Sequence, residues 1–295
     1  MGGTVNVFVR TSGPDDLVAA EGSARRVGAR IDAWARRLTR FDDASDLSRL
    51  NASAAGPLRV RPTLAAALTW ARDAGQRTGG LVDVTMLDAR LAAEAGCDAP
   101  PPESRTWQIV PGGRSATVER SAPFALDLDG VAKGWLADRA LELLREWPGA
   151  VVDADGDIAV SAGPGVEWLV DIADPFASGL DQALATVRLE GGRAWTQRYG
   201  VATSGTSIHS WTADGGRTTH HLIDPVTRRS ADTDVIQATV VAPTAREAEM
   251  LAKTAVILGS RRALRQLDGS AALTAVMVLD SARVVALPGV ERWLA

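Results

Sequence analysis

The segment DLDGVAKG (127–134) puts two aspartates, two glycines and a lysine at a strand-to-helix transition. If Asp129 caps the helix, the free amides of its first turn face whatever lies above the strand end, and Gly130 lets a backbone approach closely. Lys133, one turn in, adds a full positive charge to those partial ones, an arrangement suited to phosphate or pyrophosphate. The same residues also read as an ordinary capped helix with a solvated lysine. Composition adds to the interest of Lys133, because the chain has 32 basic residues and only Lys133 and Lys253 among them are lysine. A lysine in so arginine-rich a chain either marks a place that needs a compact point charge or is a remnant of codon bias.

The three histidines, His209, His220 and His221, fall within VATSGTSIHSW…TTHHLIDP, a Ser/Thr/Gly-rich loop returning to a strand that ends in Asp-Pro. His221 and Asp224 could act as a general base and its orienting carboxylate. A buried histidine satisfied by a backbone carbonyl fits the spacing slightly better. Glu249 and Lys253 lie four apart on a predicted helix and share a face; exposed, such a pair contributes about 0.3–0.5 kcal/mol. DADGD (153–157) invites a calcium-loop reading, but positions six and twelve, which need glycine and glutamate, hold Ile158 and Pro164. An aspartate- and glycine-rich turn between strands is preferred.

The elements that carry these residues are legible in the hydrophobic pattern. TVNVFVR (4–10) alternates as a strand, and 16–40 repeats apolar residues at helical steps. Residues 41–51 are polar and turn-rich, and Pro62 opens a helix to about Arg77 that Gly79 and Gly80 end. Pro100 to Pro102 mark a surface loop. FALDLDG (124–130) reads as a strand and 131–147 as a helix. Strands follow at 150–163, 166–172, 183–190, 220–225 and 235–243, then a threonine-capped helix over 244–258 and two terminal strands. Helices and strand runs without regular alternation give an α+β class, with mostly antiparallel sheets and packed helices. No disordered linker interrupts the chain, so 1–295 reads as one domain, at most two lobes sharing a core.

A net charge of −4 lacks the positive surplus of nucleic-acid binding. There is no apolar run of the roughly 18 residues a membrane span needs, and the amino terminus lacks the pattern of a signal peptide, so a cytoplasmic protein without a membrane partner is expected. Cys97 is the single cysteine, which excludes an internal disulfide and, with three histidines, most zinc patterns. GxxxxGK[ST], GxGxxG after a strand and HExxH are absent.

DLDGVAKGWLADRA, TSG followed by HHLIDPVT, and VVAPTAREAEMLAKTAVILG occur in the order and at the separations that resemble the ApbE family of FAD:protein FMN transferases. SDLSRLN (45–51), GGLVDVT (79–85) and GTVNVFV match weaker parts of its pattern, so the resemblance spans nearly the whole chain. It implies an α+β fold that binds FAD beside a divalent cation, usually magnesium, and transfers FMN to a threonine of an acceptor protein with release of AMP. By position, Asp127 and Lys133 would touch FAD, and Asp83, Val84 and Thr85 would line the flavin pocket. Thr203, Ser204, Gly205 and Ile223 would join the cofactor site. His221 and Asp224 match the segment near the reaction centre, and the Gly130 carbonyl would face the metal. Glu249 and Lys253 stand where the family has a metal-binding aspartate and threonine. Further departures are Asp129 in place of a small residue, Asp155 in place of the first glycine of GGD, and Arg228 in place of the glycine after Asp-Pro-x-Thr. The only tyrosine, Tyr199, is far from the position where some members stack one on the flavin. With water as the nucleophile the same site would be an FAD pyrophosphatase, and without catalysis a flavin-binding protein. The transferase is the first reading, and the replacement of the family's metal-site pair by Glu249 and Lys253 adds weight to the binder as an alternative.

Overall fold

A computed structural model of the chain describes residues 3–100, 105–113, 115–177, 182–207, 210–212 and 218–295. In chain order the elements are β1 (Val5–Arg10), α1 (Leu17–Leu38), α2 (Asp46–Ala52), β2 (Gly56–Val60), α3 (Pro62–Arg77) and α4 (Leu87–Glu94). There follow β3 (Trp107–Gly112), β4 (Ser115–Arg120), α5 (Ala132–Leu141), β5 (Gly149–Ala154), β6 (Asp157–Ala162), β7 (Glu167–Ala173), β8 (Ala183–Glu190) and β9 (Gln197–Gly205). The last are β10 (Ser210–Thr212), β11 (Thr218–His220), β12 (Ile223–Asp224), β13 (Arg229–Ser230), β14 (Val235–Ala242), α6 (Ala245–Leu258), α7 (Ser260–Asp268), β15 (Thr274–Leu279) and β16 (Val284–Ala286). All strand pairs among the described residues are antiparallel. The class is α+β, as the pattern predicts.

The chain folds into two compact units. The first comprises residues 32–132 and 208–232. Its three-stranded sheet has the order β2-β4-β3, with α3 packed on β3 and β4. The α3 helix begins at Pro62, whose missing N–H is not needed at that position, and stops where Gly79 and Gly80 take positive φ (60° and 88°) and the Gly80 N–H reaches the Gly75 carbonyl at 2.8 Å. The α4 helix packs against β11 and β13. Arg120, 4% exposed, serves as a carbonyl clamp: its guanidinium donates to the carbonyls of Leu50, Ser53 and Phe124.

The second unit comprises residues 2–31, 133–207 and 233–295. Its seven-stranded sheet has the order β1-β5-β6-β9-β14-β15-β16. The β7–β8 hairpin packs Ile172, Val187 and Leu189 against Val160, Val201 and Val241 of the sheet. Gly200 lies against α6, where an added Cβ would sit 2.1 Å from Ala245 N. Alternation along β9 thus sends odd positions to the hairpin and even ones to the helix.

Several expectations change in detail. The polar 41–51 stretch contains α2, started by Ser45, whose Oγ accepts the Ser48 N–H at 2.9 Å. FALDLDG joins no sheet ladder; it is held by a side-chain amide and single backbone bonds. TSG (203–205) is the end of β9, not loop. The helix expected over 131–147 ends at Leu141 and passes into a 3-10 turn, Glu142–Leu144. DADGD is a two-residue hairpin turn, Asp155 and Gly156 both taking positive φ (60° and 88°), which joins β5 to β6. Pro101, Pro102 and His209 lie outside the described residues.

Candidate functional site

In the first unit three motifs are stitched together by a few bonds. Asn51 of SRLN donates from Nδ2 to the Leu126 carbonyl and accepts the Leu126 N–H at Oδ1, both at 2.9 Å. The Asp127 N–H donates to the Val84 carbonyl at 2.8 Å. This brings Asp83, Val84 and Thr85 beside Asp127. Asp83 Oδ1 accepts the Thr85 N–H at 2.8 Å, and Val84 and Thr85 are buried. Asp83 and Val84 also line a cavity of about 320 Å³ with Gly79, Gly80 and Trp107. That volume is at the low end for ligand pockets, enough for a ring system rather than a whole dinucleotide.

The Asp127 carboxylate faces two arginines, Arg90 Nη1 at 3.1 Å and Arg40 Nε at 3.5 Å, and its Oδ1 accepts the Asp129 N–H at 3.1 Å. Asp129 pairs with Arg90 Nη1 at 2.5 Å. Burial works against the Arg90 charge, but Asp129 and Asp127 outweigh it and raise its pKa. The helix-cap expectation gave Asp129 no such partner. Gly130 follows in the turn that leads into α5.

The Asp-Pro segment is a tight turn: Asp224 Oδ1 accepts the Val226 N–H at 2.9 Å, and the Asp224 carbonyl accepts the Arg228 N–H at 2.8 Å. Arg228 takes φ 57° there, which explains why a glycine suits the position. Its side chain, 8% exposed, pairs through Nη2 with Asp88 Oδ2 at 2.6 Å, and Arg105 pairs with the same oxygen at 2.7 Å. His221 is half-buried at the bend between β11 and β12. The buried, carbonyl-satisfied histidine is instead His220: it is 8% exposed, with Nε2 3.1 Å from the Ala231 carbonyl, so that Nε2 carries the proton. Burial pushes its pKa down. Ile223 packs with Ala89 and Ala93 of α4.

In the second unit Lys133, half-buried in the first turn of α5, sits 3.1 Å from Asp157 Oδ2 and donates to the Asp155 carbonyl at 3.3 Å. Burial opposes the ammonium charge, yet Asp157 and Glu249 together raise its pKa. Asp157 stands at the start of β6, fixed by the hairpin turn. Burial pushes its carboxyl up to about 6, against the pull of Lys133. Glu249 on α6 is 4% exposed, its Oε2 accepts the Gly134 N–H at 3.0 Å, and it and Asp157 influence each other's titration. Burial, and then the Asp157 charge, raise the Glu249 pKa. Lys253, one turn further along α6, is half-buried, and its charge also acts on Glu249.

Thr203, Ser204 and Gly205 end β9 opposite Thr239, Ala238 and Gln237 of β14, and the Thr203 and Thr239 hydroxyls are 2.8 Å apart. Asn51, Arg90, Arg40, Asp157 and Gly134 are the residues that sequence reasoning did not single out. For Asn51 the SRLN match was a usable signal; for Arg90 there was none, because one arginine among thirty is not distinctive.

The residues at the expected metal position do not form a magnesium donor set. A charged ammonium has no lone pair, so Lys253 cannot ligate. The next hydroxyl, Thr254, is buried and donates to the Met250 carbonyl at 2.8 Å. Among the described residues no three His, Cys, Asp or Glu side chains are grouped to hold a metal.

A model described as the ApbE family matches residues 1–277. The chain is 30% identical over 280 residues to a FAD:protein FMN transferase of Treponema pallidum (strain Nichols), covering 84% of this chain and 74% of that protein. It is 27% identical over 285 residues to one of Klebsiella pneumoniae (strain 342), covering 89% and 79%. Its fold is similar to that of the Pseudomonas stutzeri flavinyl transferase ApbE in its apo form, with a TM-score of 0.78 at 20% identity over 99% of this chain and 94% of that one. It is also similar to the flavin transferase ApbE from Vibrio cholerae, with a TM-score of 0.74 at 22% identity over 100% and 96%.

Proposed function

The chain belongs to the ApbE family, and on that premise we propose that it is a transferase that moves FMN from FAD to a threonine of an acceptor protein and releases AMP. The observation that carries this reading is Lys133: one of two lysines in the chain, it is held charged by Asp157 at 3.1 Å at the start of the helix that follows DLDG. A fixed ammonium there suits a pyrophosphate.

In this reading Asp83, Val84 and Thr85 line the flavin pocket, Asp127 and Lys133 touch FAD, and Thr203, Ser204, Gly205 and Ile223 complete the cofactor-binding residues. The threonine oxygen attacks the FMN phosphorus, a P–O bond forms as the P–O–P bridge breaks, and the bridging oxygen leaves with AMP. His221 accepts the hydroxyl proton; Lys133 offsets the charge that develops on the leaving phosphate. Asp224 closes the turn that follows His221 and so positions it.

The Glu249/Lys253 pair favours one second reading, a protein that binds FAD without transferring FMN. Incubation with FAD and a threonine-bearing acceptor peptide separates the two: covalent FMN on the peptide supports transfer, and tight FAD binding with an unmodified peptide supports the binder.

A further inference from the structure

The α6 helix carries Glu249 and Lys253 at the two positions where the family resemblance places a metal-binding pair. Glu249 is buried, and its Oε1 accepts no N–H from any described residue. By itself such an oxygen would suit a metal ion. Its surroundings argue the other way. Lys133 and Lys253 both direct positive charge at this carboxyl, from α5 and from one turn further along α6. Magnesium needs about six oxygen ligands in near-octahedral geometry. Lys253 offers none while charged, and the Thr254 hydroxyl is spent on the Met250 carbonyl inside the helix. A dication added beside the buried Glu249 would be opposed by the charges of Lys133 and Lys253, which already act on that carboxyl.

We propose that this chain takes its dinucleotide without a divalent cation at the 249/253 position, the Lys253 ammonium supplying the fixed positive charge. The inference rests on the FAD reading above, and it concerns the charge partner of the phosphates rather than the reaction. A lysine is covalently attached and cannot be stripped by a chelator, so the charge is present whatever the metal supply. The ammonium carries one charge where magnesium carries two; Lys133, already held by Asp157, is the second cation.

Two measurements test it on the whole 295-residue chain. Free Mn²⁺, followed by its electron paramagnetic resonance signal, is titrated with protein in the absence of FAD; FAD affinity is then measured by flavin fluorescence in EDTA and in excess Mg²⁺. The expected results are an unaltered Mn²⁺ signal and FAD dissociation constants that agree within about twofold, a difference of about 0.4 kcal/mol. In Lys253→Thr, FAD affinity in EDTA falls and added Mg²⁺ restores it. Stoichiometric Mn²⁺ binding by the unsubstituted protein, or an FAD affinity that rises about tenfold or more with Mg²⁺, overturns the proposal. Failure of FAD to bind in either buffer would instead count against the functional reading, while the Mn²⁺ titration still decides the metal question.

Discussion

The Gly134 amide donates to the Glu249 carboxyl at 3.0 Å, tying the first turn of α5 to the second turn of α6. That bond depends on close approach of the two helices. An added Cβ at Gly134 would lie 2.6 Å from the Ala245 carbonyl oxygen and 2.8 Å from the Arg246 Cα, all backbone that cannot swing aside.

Gly134→Ala is therefore expected to destabilise the protein by about 1–3 kcal/mol through overpacking, although alanine is the better helix former. Chemical denaturation measures it. An unchanged midpoint would mean that the helices part without cost.

Arg228 separates backbone strain from a buried ion pair. Its φ of 57° favours glycine, while its guanidinium shares Asp88 with Arg105. Both Arg228→Gly and Arg228→Ala lose the pair, and only alanine keeps the left-handed penalty. The glycine variant should be more stable than the alanine variant by about 1 kcal/mol, with both below wild type. Equal melting temperatures for the two variants would remove the strain argument.

Asp138 gives the fold a pH dependence. Its carboxylate accepts the Ala245 N–H at 2.9 Å and the Arg246 N–H at 3.1 Å at the start of α6, and burial pushes its pKa from 3.8 up to about 6. Between those values the folded state holds a proton that the unfolded state has released, so this group's contribution to stability falls as pH rises from 3.8 to about 6 and is then constant. One proton of difference gives a limiting slope of about 1.4 kcal/mol for each step of one in pH. Asp138→Asn should flatten the slope of unfolding free energy in that window. If its slope matches wild type, another group carries the dependence.

The two adjacent histidines should divide stability from activity. His220→Ala removes a buried ring bonded to the Ala231 carbonyl, so it should lower the melting temperature. His221→Ala should leave FAD bound and slow FMN transfer by about 10²–10⁴-fold. Wild-type turnover in the His221 variant would reduce it to a structural residue.

How much of this was legible in the sequence follows from the length scale of each signal. Period-2 and period-3.6 patterns, Pro62, Thr244 and the Gly79-Gly80 stop act within a few residues, and they located β1, α1, α3 and α6 to within about two residues. The α2 helix escaped because its seven residues are too few for a periodic signal, although Ser45 was a visible cap. FALDLDG alternates like a strand, yet its partners are the Asn51 side chain and Val84, remote in sequence and invisible to a local pattern. The spacing of Glu249 and Lys253 was readable as one helix face. That Asp157 and Lys133 join Glu249 was not, because a hairpin turn and two helices must fold before those side chains meet.

FMN transfer from FAD to a protein threonine is the activity proposed for this chain. Mass spectrometry of a threonine-bearing acceptor peptide after incubation with the protein and FAD, with AMP assayed in the same mixture, tests it most directly. The expected result is FMN covalently attached at the threonine, AMP in equal amount, and neither product from the same peptide with threonine replaced by alanine. AMP accompanied by free FMN and an unmodified peptide would contradict it and identify a hydrolase.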